Sequence, residues 1–366
     1  RALKERGGYR TYHVGKWHLG GPEYWPEKHG FDVNVAGWDG GMSANGYFSP
    51  YDIPTMENGP EGEFLTDRLT DEAISLITDN GDDPFFLYLP YHAVHTPIQG
   101  KPEDVAYFAT KAKRLGLDTL PTFEEGEHFP AEHNREWRVR RRLLQSDPEY
   151  AALVKAVDDN VGRLMDTLDE LGQADDTIVI FTSDNGGLAT AEGSPTCNAP
   201  LAEGKGWMYE GGTREPLLVR WPGRIEAGSA CDTPVTSPDF YPTLLAAAGV
   251  EPMPEQHCDG EDILRLLAGD EARAAELSDR PIFWHYPHYG NQGGTPGSSV
   301  RQGDWKLIEF LEDNSLELYN LREDIGEDRN VAEDFPEITQ RLATMLADWR
   351  VSVAAEIPQP NPDWVD

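Results

Sequence analysis

The sequence predicts an α/β fold in which a central, mostly parallel sheet is flanked by helices and followed by a smaller C-terminal α+β subdomain. Two runs of consecutive apolar residues, 85–89 and 177–182, are typical of strands buried on both faces. Helical patterns separate these strands, and such alternation is typical of a sheet covered by helices on both sides. The alternation stops near residue 278, so we expect domains at 1–278 and 279–366.

Each predicted element has its own signal. Helices are indicated by apolar residues three and four apart, as over 64–79, where Thr66 or Asp67 would be the N-cap. Strands are indicated by short β-branched or aromatic runs bounded by Gly, Pro or Asp. The other predicted elements are helices over 148–171, 237–249 and 336–350, and strands over 9–14, 216–221, 282–286, 299–310 and 315–320.

The net charge of the chain limits the classes of molecule that it can bind. Asp and Glu number 65 against 31 Lys and Arg, which gives a formal net charge of −34 at pH 7. Molar salt screens such repulsion, because the Debye length there is about 3 Å. We therefore hypothesise a halophilic source, testable as a melting temperature that rises with added salt; an ordinary acidic bacterial protein is the alternative. The acidic surface argues against nucleic acid, and the basic cluster of Arg138, Arg140, Arg141 and Arg142 is predicted to be a solvated helix face.

Length and cysteine content give further limits. The chain has 366 residues and 39% hydrophobic content, enough for a large core. No run approaches the ~18 apolar residues of a membrane span, so we expect no membrane-spanning segment. Cys197, Cys231 and Cys258 are too few for a disulfide framework. The chain begins at Arg1 inside an amphipathic helical pattern, so we expect its N-terminus, with any export signal, to be missing.

The segment 8–20 combines a β-rich run with a turn at Gly15. Lys16 and His18 follow two residues apart, with Trp17 between them. Because alternate side chains of an extended segment share one side, we expect Lys16 and His18 to face a common point and Trp17 to pack behind them. The pair would offer a fixed cation and a titratable proton donor.

Three further groups follow predicted strands or lie between glycines. His95 comes after the first buried strand, Asp184 and Asn185 follow the second, and Lys205 is flanked by Gly204 and Gly206. Ligands of open α/β sheets bind at the carboxyl ends of strands. Adjacent carboxylate and amide oxygens suit Ca²⁺ or Mg²⁺. Taken singly, each group also fits an ordinary role as a core histidine, a turn or a surface lysine.

Taken together, these segments resemble the sulfatase family. The resemblance begins with residues 8–20, Gly-Tyr-Arg-Thr-Tyr-His-Val-Gly-Lys-Trp-His-Leu-Gly, and the other segments follow in the family's order over most of the chain. Sulfatases share an alkaline-phosphatase-like α/β sandwich and hydrolyse sulfate esters, so the resemblance implies this fold and this activity. The supporting matches are His95-Thr-Pro, Ser183-Asp-Asn-Gly, Gly204-Lys-Gly, Glu210-Gly-Gly-Thr-Arg-Glu-Pro, Val219-Arg-Trp-Pro-Gly, Asp239-Phe-Tyr-Pro-Thr-Leu-Leu and Arg301-Gln-Gly-Asp-Trp-Lys-Leu-Ile.

The resemblance implies a metal site and a nucleophile. Asp184 and Asn185 would be two of four protein ligands of Ca²⁺, with Mg²⁺ as the alternative, and Asp184 would also aid the nucleophile. In the family, the nucleophile is a formylglycine made from the first residue of Cys/Ser-x-Pro-Ser-Arg. Neither that string nor the acidic pair that supplies the other two ligands occurs in this sequence. We expect both upstream of residue 1, and we expect this chain alone to be inactive.

The resemblance also implies four residues for the sulfate ester. Lys16 and Lys205 would hold the sulfate oxygens, which otherwise repel a nucleophile. His18 would bond the nucleophile and help to break the covalent intermediate, and His95 would protonate the leaving alcohol near neutral pH. By the same resemblance, the protein would be periplasmic or extracellular.

The predicted walls around the leaving group are rich in aromatic residues. They are the loop over 21–51, within a long irregular region at 21–62, and the segment 285–294, where His285 and His288 would bind substrate. These side chains suit a sugar ring, so we favour a sulfated saccharide over a small aryl sulfate. A phosphonate or phosphodiester hydrolase and a non-catalytic module that binds sulfated glycans stay open. The sequence leaves the oligomeric state undetermined.

Overall fold

The computed structural model describes residues 1–253, 259–359 and 361, so Cys258 lies outside the described residues. The helices are α1 (Ala2–Gly7), α2 (Leu65–Asn80), α3 (Pro102–Arg114), α4 (Pro148–Glu170), α5 (Glu210–Thr213), α6 (Phe240–Ala247), α7 (Leu264–Leu267), α8 (Glu271–Ser278) and α9 (Pro336–Ser352). The strands are β1 (Arg10–Val14), β2 (Val33–Val35), β3 (Phe85–Tyr88), β4 (Phe123–His128), β5 (Arg138–Arg142), β6 (Val179–Thr182), β7 (Leu217–Arg220), β8 (Ile282–Tyr286), β9 (Gly297–Gln302), β10 (Trp305–Phe310) and β11 (Leu316–Asn320).

The chain divides into two compact units, each built from separate stretches of sequence. Unit 1 comprises Arg1–Gly116, Asp147–Val179 and Val219–Asp270, and unit 2 comprises Leu117–Ser146, Ile180–Leu218 and Glu271–Asp366. This division differs from the single boundary expected at 278/279, because two internal stretches belong with the C-terminal part. Among the described residues, no helix combines the length and apolar surface that a bilayer crossing requires.

Unit 1 contains a parallel sheet with the strand order β2-β1-β3, in which Tyr12 of β1 lies opposite Val33 and Leu87. Helices α2 and α4 pack on each other through buried Ala73, Ile77, Leu164 and Leu168, and the strand residues Phe85 and Leu87 join this cluster. Short parallel strands covered by amphipathic helices confirm the predicted α/β class.

The strands of the apolar runs are less buried than predicted. Phe85, Phe86 and Leu87 are half-buried and Tyr88 is 47% exposed, because β3 ends the strand order and pairs only with β1 in that sheet. β6 pairs with β7 in a separate two-stranded sheet, and Phe181 at its end is also exposed. No residue of 85–89 or 177–182 is fully buried, so the prediction that both runs are buried on both faces is wrong.

The region 21–62 is largely irregular and packed by aromatic side chains, as predicted. Tyr47 and Tyr51 are fully buried, and the Tyr47 ring stacks on Phe64 at 5.6 Å. The Leu65 amide donates to the Tyr47 carbonyl at 2.8 Å. This packing starts α2 at Leu65 with Phe64 as N-cap, so the predicted cap at 66 or 67 is wrong.

Unit 2 contains an antiparallel sheet with the order β11-β10-β9-β8, covered by α9 through Leu342 and Leu346. The predicted strand over 299–310 is two strands, because Gly303 turns the chain with φ 59°. The basic cluster is also different from its prediction. It forms strand β5, paired antiparallel with the acidic β4, and not a helix face.

Candidate active site

In unit 1, Lys16 lies where the end of β1 meets the segment after β3. Gly15 has φ 127°, and a Cβ built on it would lie 2.2 Å from the Pro90 carbonyl oxygen, so a side chain has no room here. The Lys16 amide donates to that oxygen at 2.8 Å. This contact brings half-buried Lys16 close to the segment that carries His92 and His95, and both Lys16 and His95 act electrostatically on His92.

His18 departs from the extended geometry that the sequence predicted. Its φ of 55° is left-handed, so the expected alternation of side chains does not hold at this residue. The amide of exposed His18 donates to the Trp38 carbonyl at 2.9 Å, and its ring lies against Gly41, where a Cβ would be 2.7 Å from Cε1. Trp17 is half-buried, and its Nε1 donates to the Tyr24 carbonyl at 2.8 Å.

Hydrogen bonds define the tautomer of His95. Its Nδ1 lies 2.8 Å from the Thr96 carbonyl oxygen, which can only accept, so Nδ1 carries a proton and Nε2 is the basic nitrogen of the neutral ring. The buried Tyr47 hydroxyl donates to the His95 carbonyl at 2.9 Å, which fixes the backbone. His95 is thus held as a proton donor and acceptor through one defined nitrogen.

Two buried histidines behind this group escaped the sequence analysis. His92 is 2% exposed, and neither of its ring nitrogens has a hydrogen-bond partner within the described part of the chain. Burial, then the charges of Lys16, His95 and His13, lower the pKa of His92 to about 3. Burial lowers the pKa of His13 to about 4, against a hydrogen bond with Asn34. The His-x-x-His spacing of residues 92 and 95 is the signal that could have identified His92.

These two histidines predict a stability loss on mild acidification. The unfolded chain binds protons at an ordinary pKa near 6.5, whereas the folded chain binds them only near 3 and 4. Each histidine then favours folding above pH 6.5 and loses that contribution as pH falls, by about 2 kcal/mol at pH 5. We expect urea denaturation of H92N to show about 2 kcal/mol less loss between pH 7 and pH 5 than the parent chain.

The matched control is H133N, which removes an exposed histidine. It should leave the difference between pH 7 and pH 5 as it is in the parent. If H92N and H133N lose stability equally on acidification, His92 is protonated in the folded protein and its buried, neutral state is disproved.

In unit 2, the strand, polar turn and double glycine around Asn185 predict that backbone passes close to another group, and the structure brings two backbone segments together there. A Cβ on Gly186 would lie 1.7 Å from the Gly211 carbonyl oxygen, and the Gly186 amide donates to the Gly212 carbonyl at 3.3 Å. A Cβ on Gly187 would be 2.5 Å from Thr196 Cγ2. The turn that carries Asp184 and Asn185 is therefore braced directly against α5.

Asn198, which the sequence analysis also missed, joins this turn to the Lys205 loop. Its Oδ1 accepts from the Gly187 amide at 3.2 Å, and its Nδ2 donates to the Gly187 and Glu203 carbonyls at 2.8 Å each. The Lys205 amide donates to the same Gly187 carbonyl at 3.2 Å. One amide side chain thus fixes the distance between the Asp184 turn and Lys205.

The donor chemistry of the Asp184 turn fits a hard cation. Asp184 is exposed, Asn185 is half-buried, and the nearby Glu215 has a buried Oε1 without a hydrogen-bond partner among the described residues. Burial and the charge of Asp184 raise the pKa of Glu215 to about 7, a repulsion that Ca²⁺ or Mg²⁺ would offset. Within the described ranges, no three His, Cys, Asp or Glu residues group to hold a metal, so this turn would supply only part of a coordination shell.

His285 and His288 lie at the end of β8 and just after it. His285 Nδ1 is 2.8 Å from Ser298 Oγ, and its Nε2 is 2.9 Å from the Glu356 carbonyl oxygen, so both ring nitrogens already have partners. His288 packs edge-on against Tyr286 at 5.4 Å. These contacts argue for a structural role of His285, and substrate binding by either histidine stays a prediction.

Apart from His285 and His288, the predicted site residues therefore form two groups. Unit 1 holds Lys16, His18 and His95, with Lys16 and His95 gathered around His92. Unit 2 holds Asp184, Asn185 and Lys205, joined through Gly187 and Asn198. That the two groups converge on one substrate stays a prediction.

Comparisons with known proteins place the chain in a family. Residues 1–250 match the sulfatase family model, and residues 203–352 match a model described as N-sulphoglucosamine sulphohydrolase, C-terminal. A sulfatase of Formosa agariphila is 33% identical over 366 aligned residues, covering 87% of this chain and 60% of that protein. The N-acetylgalactosamine-6-sulfatase of Mus musculus is 31% identical, covering 90% and 58%.

A solved structure is also similar. The crystal structure of Ps i-CgsB in complex with k-i-k-neocarrahexaose superposes with a TM-score of 0.72 at 29% identity, covering 93% of this chain and 71% of that one. The chain spans about 60% of the length of the curated relatives it matches first. Because the sulfatase model matches well over half of its 366 residues, the chain belongs to the sulfatase family, and its fold is the alkaline-phosphatase-like α/β fold.

Proposed function

We propose that the protein containing this chain hydrolyses the sulfate ester of a saccharide. In support, the predicted catalytic and metal-binding residues lie within the residues 1–250 that match the sulfatase family model, namely Lys16, His18, His95, Asp184, Asn185 and Lys205. The observation that carries the proposal is the tautomer of His95. With Nδ1 hydrogen-bonded to the Thr96 carbonyl, His95 can exchange a proton only through Nε2, as general acid catalysis of alcohol departure requires.

Although the chain is strongly acidic, two of its predicted site residues, Lys16 and Lys205, are cations that can bind a sulfate group. Lys16 and Lys205 would bind the sulfate oxygens and offset the charge that builds on them in the transition state. His92, held neutral by burial, adds no second positive charge beside Lys16. Asp184 and Asn185 would hold Ca²⁺, which when bound withdraws electron density from the sulfate oxygens.

His95 would transfer a proton to the leaving group, and His18 would bind the nucleophile. As the nucleophile's oxygen bonds to sulfur and the S–O bond to the sugar breaks, His95 in its imidazolium form would donate its Nε2 proton to the sugar oxygen, because a sugar alkoxide is a poor leaving group. His95 is left as the neutral ring with its proton on Nδ1. His18 is exposed and braced by Gly41, so it can bond a nucleophile supplied by the expected formylglycine segment. Asn198 keeps Lys205 at a fixed distance from the Asp184 turn during these steps.

A sulfated saccharide is the proposed substrate class. The relatives include N-acetylgalactosamine-6-sulfatases, and the similar structure holds a neocarrahexaose. Exposed Tyr24 and half-buried Trp17 beside His18 would give a sugar ring an aromatic wall. A polysaccharide substrate places the protein outside the cytoplasm, in line with the expected periplasmic or extracellular location, and the net charge of −34 fits a salt-rich habitat.

The test compares two leaving groups in the protein that carries these residues together with the formylglycine segment. H95N should lower kcat/KM for a sulfated disaccharide by about 10²- to 10⁴-fold, because the sugar oxygen needs a proton. The kcat/KM of H95N for nitrophenyl sulfate should fall far less, because the nitrophenolate leaves without a proton. H133N is the control, and equal losses for both substrates, or faster cleavage of a phosphodiester by the parent protein, would refute the proposal.

A further inference from the structure

The hairpin of β4 and β5 is a rigid extension of the Lys205 segment in unit 2. Val139 is fully buried in a cluster with Phe129 and Ala191, against which Trp207 also packs. The Arg142 amide donates to the Ala189 carbonyl at 2.9 Å. The hairpin is therefore anchored to the stretch 189–207, which includes Lys205, and does not need to order itself when a ligand binds.

The arginines of β5 divide into two kinds. Arg141 pairs with Glu203 at 2.7 Å and with Glu127 at 2.8 Å, and Arg142 is buried with its Nε donating to the Ser194 carbonyl. These two hold the hairpin together. The charge of Arg141 is offset by two carboxylates and Arg142 is buried, so neither is available to a partner.

Arg138 and Arg140 are different, because both are exposed and neither pairs with a carboxylate among the described residues. Arg138 donates one N–H to the Gly126 carbonyl at 2.8 Å, and the Arg140 guanidinium lies 3.7 Å from the Phe123 ring centroid. These contacts hold each guanidinium in place without neutralising it. Glu125 is the β4 residue that lies opposite Arg140 in the strand register.

Trp137 precedes this pair and is 71% exposed. An indole face presents a negative quadrupole to the C–H face of a sugar, and a guanidinium binds tetrahedral oxyanions through two parallel N–H donors. A chain with net charge −34 repels polyanions everywhere except where cations are unpaired. An exposed indole that directly precedes two unpaired guanidiniums in the sequence therefore matches a ligand that has both sugar rings and sulfate groups.

We propose that Trp137, Arg138 and Arg140 form a binding surface for the chain of a sulfated polysaccharide. The identity of the ligand rests on the proposed function, and the surface extends it by naming a polymer as the substrate. Binding along the polymer would hold successive sulfate groups near the same unit that carries Lys205, which raises their local concentration.

Binding of dextran sulfate to the 366-residue chain, with unsulfated dextran as reference, tests the proposal by calorimetry at about 0.1 M salt. R138Q/R140Q should weaken binding at least tenfold and reduce its salt dependence, and W137A should weaken it about fivefold. E125Q should strengthen it. The matched control is R135Q, whose exposed arginine is already paired with Glu132 on the same hairpin at 2.9 Å.

Because binding is measured without turnover, the two proposals fail separately. Sulfate release by the whole protein together with parent-like dextran sulfate binding by R138Q/R140Q would overturn the surface and leave the activity intact. Loss of binding in that variant without any sulfate release by the parent would support the surface and refute the activity. Equal binding of unsulfated dextran, or tighter binding of single-stranded DNA, would also overturn the surface. If thermal melting shows that the double variant misfolds, R138Q alone should weaken dextran sulfate binding about threefold.

Discussion

Replacing Gly186 with alanine is expected to destabilise unit 2 by at least about 3 kcal/mol and to displace the turn that carries Asp184. The new Cβ would lie 1.7 Å from the Gly211 carbonyl oxygen and 3.0 Å from Gly212 Cα. Both are backbone atoms, so no side-chain rotation relieves the overlap. Separating the segments would also break the hydrogen bond between the Gly186 amide and the Gly212 carbonyl. Urea denaturation of G186A and the parent measures the loss.

A second glycine gives a control with the opposite sign. Gly162 lies inside α4, and a Cβ on it would meet nothing within 4 Å. G162A should therefore raise the free energy of unfolding by about 0.5–1 kcal/mol, because alanine loses less conformational freedom in a helix. If G186A is as stable as G162A, the two segments do not approach each other as closely as the structure shows.

The Asp184 turn shows what sequence patterns predict well. An apolar strand followed by Ser-Asp-Asn-Gly-Gly predicts that backbone passes close to another group, and the contacts of Gly186 and Gly187 confirm it. Such close approach leaves a record in the sequence because only glycine tolerates it. Gly15 is predicted to allow a turn after β1, and its φ of 127° confirms that prediction.

Residues whose role depends on tertiary contacts have no such pattern in the local sequence. Asn198 makes three hydrogen bonds to backbone atoms 5 and 11 residues away, so nothing in its local Cys-Asn-Ala-Pro context distinguishes it from a loop residue. His13 occupies a strand position that alternation alone would give to any apolar side chain, and its burial depends on how β1 is covered. Both needed the three-dimensional structure.

Burial of strands was overestimated for a related reason. A continuous apolar run predicts that both faces are covered, but it does not record whether the strand is central or at the edge of a sheet. Within the part of the chain that the structure describes, β3 pairs with β1 alone, and Tyr88 at its end is exposed. The basic cluster failed similarly, since its helix assignment ignored the acidic partner β4, whose Glu124 faces Arg141 across the hairpin.

A buried ion cluster supports α5, the helix against which the Asp184 turn is braced. The Lys306 ammonium lies 2.9 Å from Glu210 Oε1 and 3.0 Å from Glu327 Oε1, and these side chains are 0%, 1% and 0% exposed. The second contact is an ion pair without hydrogen-bond geometry. Glu327 Oε2 also accepts from the Glu210 amide at 2.6 Å. Burial alone would raise the pKa of Glu210, but Lys306 lowers it, whereas burial keeps the pKa of Glu327 raised.

Replacing Lys306 with methionine should destabilise the protein by about 3–5 kcal/mol at pH 8, because two buried carboxylates lose their shared cation. Without that cation, the folded-state pKa of Glu327, which burial already raises, increases further, whereas Glu210 keeps Arg301 at 3.5 Å. The folded variant therefore takes up a proton at Glu327 as pH falls. Its deficit relative to the parent should therefore shrink at pH 5. Urea denaturation at pH 5 and pH 8 measures both effects.

Two further variants separate burial of charge from simple loss of an ion pair. R322M removes an arginine that pairs with Asp304 at 2.7 Å but is 70% exposed, and it should cost less than about 1 kcal/mol at either pH. K306M/E327Q removes the cation together with the Glu327 carboxylate and should recover much of the stability that K306M loses, because Glu210 keeps its ion pair with Arg301 at 3.5 Å. A K306M deficit no larger than that of R322M at pH 8 would mean that solvent reaches Lys306. In that case the cluster would not be what holds α5 behind the Asp184 turn.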